Sequence, residues 1–154
     1  MATTTATLTL SSADLLSDNL SLSATMNLYK GDTTATGLDQ FRMERFILAP
    51  GTGQVDLIEA TTAASEDANY VYICNKNTDA THYVTISIGA EVIGSLYAGD
   101  WMFIPWSNDE SATAGSDDPS GDDTDIAIQA FTASNTIEYA LFHVGETLLT
   151  HTAS

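Results

Sequence analysis

Cysteine, histidine and basic residues are scarce in this chain. In 154 residues there are one Cys, three His and only four Lys+Arg. A lone Cys74 excludes an internal disulfide framework, and its setting in Tyr70-Val71-Tyr72-Ile73-Cys74 reads as a small buried hydrophobe. His82, His143 and His151 lie far apart, and none has the i, i+4 partner of a zinc-binding helix. No Gly-rich phosphate loop, nucleophile elbow or Ser beside an evident base is present, so no catalytic activity and no cofactor are expected. The longest strongly apolar stretch, 101–106, is far too short to span a bilayer. No positive charge precedes Lys30 and no apolar h-region exists, so no secretory signal is expected. Synthesis in a cytoplasm without ordinary export follows from that reading.

Acid is what the chain has in excess. The 21 Asp+Glu give a formal net charge of -17. Such a field repels nucleic acid and anionic membranes, and it keeps a protein soluble at high concentration. Hydrophobic residues make up 44%, so this is a folding chain rather than a disordered acidic polymer. Its length suits one domain over 1–154 with a core that needs no staples. Charge without chemistry points to a durable β-rich building block.

The hydrophobic period is two almost everywhere. Thr5-Ala6-Thr7-Leu8-Thr9-Leu10 alternates, and so does the run from Asn19 to Leu28. Such alternation sets Leu and Met on one face and Ser/Thr on the other. Strands are expected at 5–10, 19–28, 41–48, 55–60, 69–75, 82–88, 92–97, 101–104, 126–131 and 136–144. Turn residues punctuate them, notably Pro50-Gly51-Thr52-Gly53, Gly89-Ala90 and Gly99-Asp100. Gly89-Ala90 predicts a tight hairpin with Gly supplying φ > 0. Ser12 to Leu16 reads as a turn, and 39–45 is too short to argue a helix from period. Many short, evenly spaced strands predict an all-β fold: an antiparallel β-sandwich, jelly-roll-like.

The segment 107–125 breaks the pattern. It holds seven of the 21 acids and no aliphatic residue larger than Ala, so it predicts a solvated acidic loop. Self-repelling charge at a loop tip would also discourage edge-to-edge aggregation. The alternative is calcium held by Asp117, Asp118, Asp122, Asp123 and Asp125, which offer hard oxygens close together. Their spacing is not that of an EF-hand loop, and the solvated loop is the preferred reading. Residues 147–154 read as a flexible Thr-rich tail.

The aromatic stretch Tyr97-Ala98-Gly99-Asp100-Trp101-Met102-Phe103-Ile104-Pro105-Trp106 has two readings. Tyr97, Trp101 and Trp106 would suit a carbohydrate-binding surface. A strand apolar at both parities instead suits a core or a subunit interface. The second reading is preferred, with Trp101, Phe103 and Trp106 as interface candidates.

Two segments carry a resemblance: Asn75-Lys76-Asn77-Thr78 through Val84-Thr85-Ile86-Ser87-Ile88-Gly89, and Leu96-Tyr97-Ala98-Gly99-Asp100-Trp101-Met102-Phe103-Ile104-Pro105-Trp106. Together with the closing strand Ile137-Glu138-Tyr139-Ala140-Leu141-Phe142, they are similar to small virion structural proteins of marine tailed bacteriophages. The similarity spans most of 68–144 and transfers no site residues. It implies a particle component: a capsid decoration (cement) protein, or a tail or adaptor protein. The partners implied are the major capsid protein or other virion proteins, with a homo-oligomer, for example a trimer, expected and neither nucleic acid nor membrane engaged. Packaged DNA would repel a -17 chain, which favours the outside of the capsid.

Overall fold

The computed structural model describes residues 4–13, 20–29, 37–38, 40–58, 69–106 and 125–143. Within them the chain is all-β. Its strands in order are β1 (Thr4–Ser12), β2 (Leu20–Leu28), β3 (Gln40–Leu48), β4 (Val55–Ile58) and β5 (Asn69–Asn75). They continue with β6 (Tyr83–Ile88), β7 (Glu91–Tyr97), β8 (Trp101–Trp106), β9 (Ile126–Ala130) and β10 (Asn135–His143). Every alternating run of the sequence is a strand. Most of the acidic segment, including Asp117, Asp118, Asp122 and Asp123, lies outside the described residues, as do the tail 147–154 and His151.

Eight strands form an antiparallel sandwich of two four-stranded sheets, ordered β3-β10-β5-β8 and β4-β9-β6-β7. The pairing is nested. β3 pairs with β10, β4 with β9, β5 with β8, and β6 with β7, all antiparallel. Successive nested pairs fall in alternate sheets. The chain is thus one long doubled ribbon, closed at Gly89-Ala90 and wound on itself. β10–β5 and β9–β6 contacts stitch the windings together. Gly89 has φ 56°, the left-handed value the closing turn demands.

Alternation explains the core. Val71 and Ile73 of β5, Ile137 and Leu141 of β10, Val84 and Ile86 of β6, and Ile126 and Ile128 of β9 all meet between the sheets. Tyr139 joins them edge-on to Phe46. Its phenol donates to Glu44 Oε2 at 2.9 Å, and burial followed by that carboxylate pushes its pKa well up.

Each outer edge of the sandwich carries a feature that discourages pairing with another strand. β3 places the ion-paired Arg42 and Glu44 on its core-side parity. β8 contains Pro105, which lacks an N–H. β7 is bulged, since its register on β6 shifts between Ile86 and Ser87. β4 shifts register on β9 between Asp56 and Ile58.

One end of the sandwich is tied by asparagines. Asn75 and Asn135 are fully buried, at the end of β5 and the start of β10. The Asn75 Nδ2 donates to the Leu96 carbonyl at 3.1 Å and to Asn135 Oδ1 at 3.2 Å. Its Oδ1 accepts the Asn77 N–H at 3.1 Å. Asn77 Nδ2 donates to Asn135 Oδ1 at 3.0 Å, and Asn135 Nδ2 to the Ala133 carbonyl at 2.8 Å. Gly99, at φ 86°, turns its N–H onto the Asn75 carbonyl at 2.8 Å. Three chain crossings are thereby joined by polar groups that have no water to fall back on. Asn75→Ala should cost about 1–3 kcal/mol, because the buried partners are left unpaired. The check is a lowered urea midpoint at unchanged m-value, with the exposed Lys76→Ala as a near-neutral control.

Candidate functional site

The β1–β2 hairpin stands apart from the sandwich as an arm. Its register is unbroken from Thr4↔Leu28 to Ser12↔Leu20. Even-numbered residues of both strands therefore share one face: Ala6 opposite Met26, Leu8 opposite Ala24, Leu10 opposite Leu22. The other face is hydroxyl and amide, with Thr7 and Thr25 in contact at 3.2 Å and Thr5 Oγ1 donating to Asn27 Oδ1 at 3.1 Å. No strand residue of the arm carries a charge.

Only the base of the arm is anchored. Leu28 and Leu38 are buried and form a small cluster with Ala6, Tyr70, Phe103 and Phe142. The latter three belong to the outer face of the β3-β10-β5-β8 sheet. Register sets that face out in rows: Phe41, Phe142, Tyr70 and Pro105 in the first; Met43, Ala140, Tyr72 and Phe103 in the second; Arg45, Glu138, Cys74 and Trp101 in the third. Rings join across the strands, Phe41 to Phe142 at 4.9 Å and Tyr70 stacked on Phe103 at 5.7 Å. A groove of about 470 Å³ runs between arm and face, walled by Ala6, Leu8 and Met26 on one side and Tyr72, Trp101, Phe103 and Phe142 on the other.

Charge on this face is internally cancelled. Arg45 Nε donates to Glu138 Oε2 at 3.1 Å, with a second guanidinium nitrogen on the same oxygen, and Glu138 is buried. Beside it Cys74 is a buried free thiol. Burial, then the hydrogen bond with Cys74, pushes the Tyr72 hydroxyl up to about 12. At neutral pH the groove therefore presents a neutral phenol among apolar side chains.

The structure separates the aromatic candidates. Trp101 is exposed and Phe103 half-buried on the outer face, where an interface can use them. Trp106 is 4% exposed inside the sandwich, so it belongs to the core and drops out as an interface residue. The carbohydrate platform of Tyr97, Trp101 and Trp106 is not assembled either. Tyr97 lies on β7 in the opposite sheet, packed on Tyr83, and the two Trp point to opposite sides of β8. Strand parity separates the tryptophans, and the turn at Gly99 carries the chain from one sheet to the other.

Of the carboxylates considered for calcium, Asp125 alone is described; its carbonyl accepts the Gly89 N–H at 2.8 Å. Among the described residues no three His, Cys, Asp or Glu side chains gather as a metal site. His82 sits against Asn77 Nδ2 at 3.0 Å and 3.6 Å from Asp79, within a turn. Asp79 accepts the Thr81 N–H and hydroxyl, which hold its carboxyl below the usual range. These contacts order the 77–82 turn. Apolar exposure at Phe41, Met43 and Ile47 is new, although their shared odd parity in Gln40-Phe41-Arg42-Met43-Glu44-Arg45-Phe46-Ile47 is its signal.

No protein-family model matches the chain, and no curated protein matches it significantly.

The two tryptophans should separate cleanly in stability. Trp106→Ala should cost about 3–5 kcal/mol. Trp101→Ala should cost less than about 1 kcal/mol in the isolated chain, its ring being 53% exposed. Equilibrium unfolding of both variants measures the difference. Tyrosine ionisation gives a second check. Both raised phenols, Tyr72 and Tyr139, favour the folded state fully below the unfolded value of 10, and that contribution is lost as pH rises through their folded values. Stability should fall from about pH 10 upward, in step with a late phase in tyrosinate absorbance, and Tyr72→Phe should remove part of that fall.

Proposed function

We propose that the chain is a virion structural protein, an outer-capsid decoration (cement) protein of a tailed bacteriophage. The observation that carries the reading is a contradiction of surface. The chain bears a net charge of -17, yet large apolar side chains stand exposed on it, on the arm, on the aromatic face and at the β7 edge (Val92, Ile93). Charge keeps such a molecule dispersed at high copy number, while uncharged patches give it something to attach with. The nested strand order supports the same reading. Orders β3-β10-β5-β8 and β4-β9-β6-β7 support a jelly-roll reading of the sandwich, an architecture that viral capsid, lectin and cupin domains share. The phage-like segments fall on its structural joints: Asn75 and Asn77 in the asparagine tie, and Gly99 in the turn that feeds β8.

Its place in this reading is the particle exterior, after synthesis in the host cytoplasm, with the major capsid protein as partner. A tail or adaptor position is the competing site. Lectin-like binding through Tyr97, Trp101 and Trp106 loses its support, because those rings share no face.

The test uses purified protein and heads that lack it. The chain should cosediment with heads, and retention should be the same at about 0.1 M and about 1 M salt, since apolar burial is not screened. Val92→Asp with Ile93→Asp should weaken attachment. Particle density for the chain only in the tail, or turnover of a substrate by the purified protein, would overturn the proposal.

A further inference from the structure

We propose that the arm of one copy lays its apolar face on the aromatic sheet face of a second copy of this chain. The contact is head-to-tail, and it holds whether or not the protein belongs to a particle.

Both halves of the contact are present on one chain, and among the described residues much of each stands open, although Leu8 and Met26 also wall a groove with Trp101 and Phe103 of the same chain. On the arm, Leu8, Leu10, Leu22 and Met26 are 38–55% exposed along one face. On the sheet, Phe41, Met43, Ile47 and Trp101 are 48–72% exposed. These eight are most of the twelve large hydrophobics exposed among the described residues. The arm's own base covers the middle of the face, through Ala6 and Leu28 on Tyr70, Phe103 and Phe142. It leaves both the distal arm and the flank of the face open, with the groove between them.

The arm is also the unguarded part of the molecule. Each sandwich edge carries inward charge, a proline or a register shift. The arm has nine-residue strands with no charge, no proline and no break in register. A two-stranded sheet is marginally stable in water by itself and gains most from a cover on its apolar face.

Charge decides what that cover is. A cationic partner would gain most from the acidic surface and has no reason to choose a neutral arm. A like-charged partner can approach a -17 chain closely only where neither carries charge. The arm is such a place, and on the facing sheet the Arg45–Glu138 pair cancels itself. Another copy is the like-charged partner that is present wherever the chain is made. Because arm and face are different surfaces, the contact is heterologous, and it builds rings or open chains according to its rotation.

Analytical ultracentrifugation of the purified full chain tests this without any particle, so its outcome is independent of the decoration reading. The wild type should associate as concentration rises, by mass action. An arm variant, Leu10→Asp with Leu22→Asp, and a face variant, Met43→Asp with Trp101→Asp, should each be monomeric. Mixed in equal amounts they should form a one-to-one dimer and nothing larger, since only one intact arm and one intact face remain to meet. Short-wavelength emission from the buried Trp106 reports that each variant is folded. If either is not, Leu10→Asn and Met43→Asn take their place. A wild type that stays monomeric throughout overturns the proposal and leaves the arm to a different occupant. A face variant that associates like the wild type overturns it too, in favour of arm-to-arm contact.

Discussion

The β3-β10-β5-β8 sheet is apolar on both sides, and that constraint organises the rest of the molecule. One side carries Val71, Ile73, Ile137 and Leu141, and the second sheet covers it. The other carries rows of Phe, Tyr, Met and Trp, and among the described residues it is covered at the base of the arm. At about 25 cal/mol per Å² of apolar surface, leaving aromatic rows half open is expensive. The arm reduces that cost without removing it. Among the described residues the sheet has one full cover and part of a second.

Edges and termini answer the same constraint in opposite ways. Within the sandwich, Pro105, the register shifts of β7 and β4 and the Arg42–Glu44 pair disfavour edge-to-edge pairing. Net charge adds long-range repulsion. Association is thereby discouraged everywhere except on uncharged apolar surface, which makes specificity a matter of where charge is absent.

Strand positions were legible in the sequence because period two is a local property. The alternation of Leu and Thr in 5–10 and 20–28 needs no tertiary information to be read as a strand. Partner choice was less accessible. Nesting of β3 with β10 joins residues about ninety positions apart, and pattern alone does not say which edge meets which. The aromatic stretch shows the boundary well. Parity along 101–106 sets Trp101 and Phe103 apart from Trp106, but it does not reveal which parity faces the second sheet, so all three stand as interface candidates in the sequence while the structure places Trp106 in the core. The chain's change of sheet at Gly99 then removed Tyr97 from both sets. Phe41, Met43 and Ile47 were hidden for a related reason: Arg42 and Glu44 alternate with them, and local period does not say that this pair lies on the inner parity while Arg45 lies on the outer.

That inversion on β3 ties fold to surface. Arg42 and Glu44 sit on the core-side parity of an edge strand, with side chains 27% and 31% exposed, and Tyr139 donates to Glu44. Their inward placement obliges Phe41, Met43 and Ile47 to point outward, because successive side chains alternate. The exposed aromatic flank is therefore no accident of loose packing. It follows from guarding the β3 edge with charge, and the same substitution that would make β3 a conventional amphipathic strand would erase the outer apolar row. Protection of one edge and creation of one docking face are a single feature of nine residues.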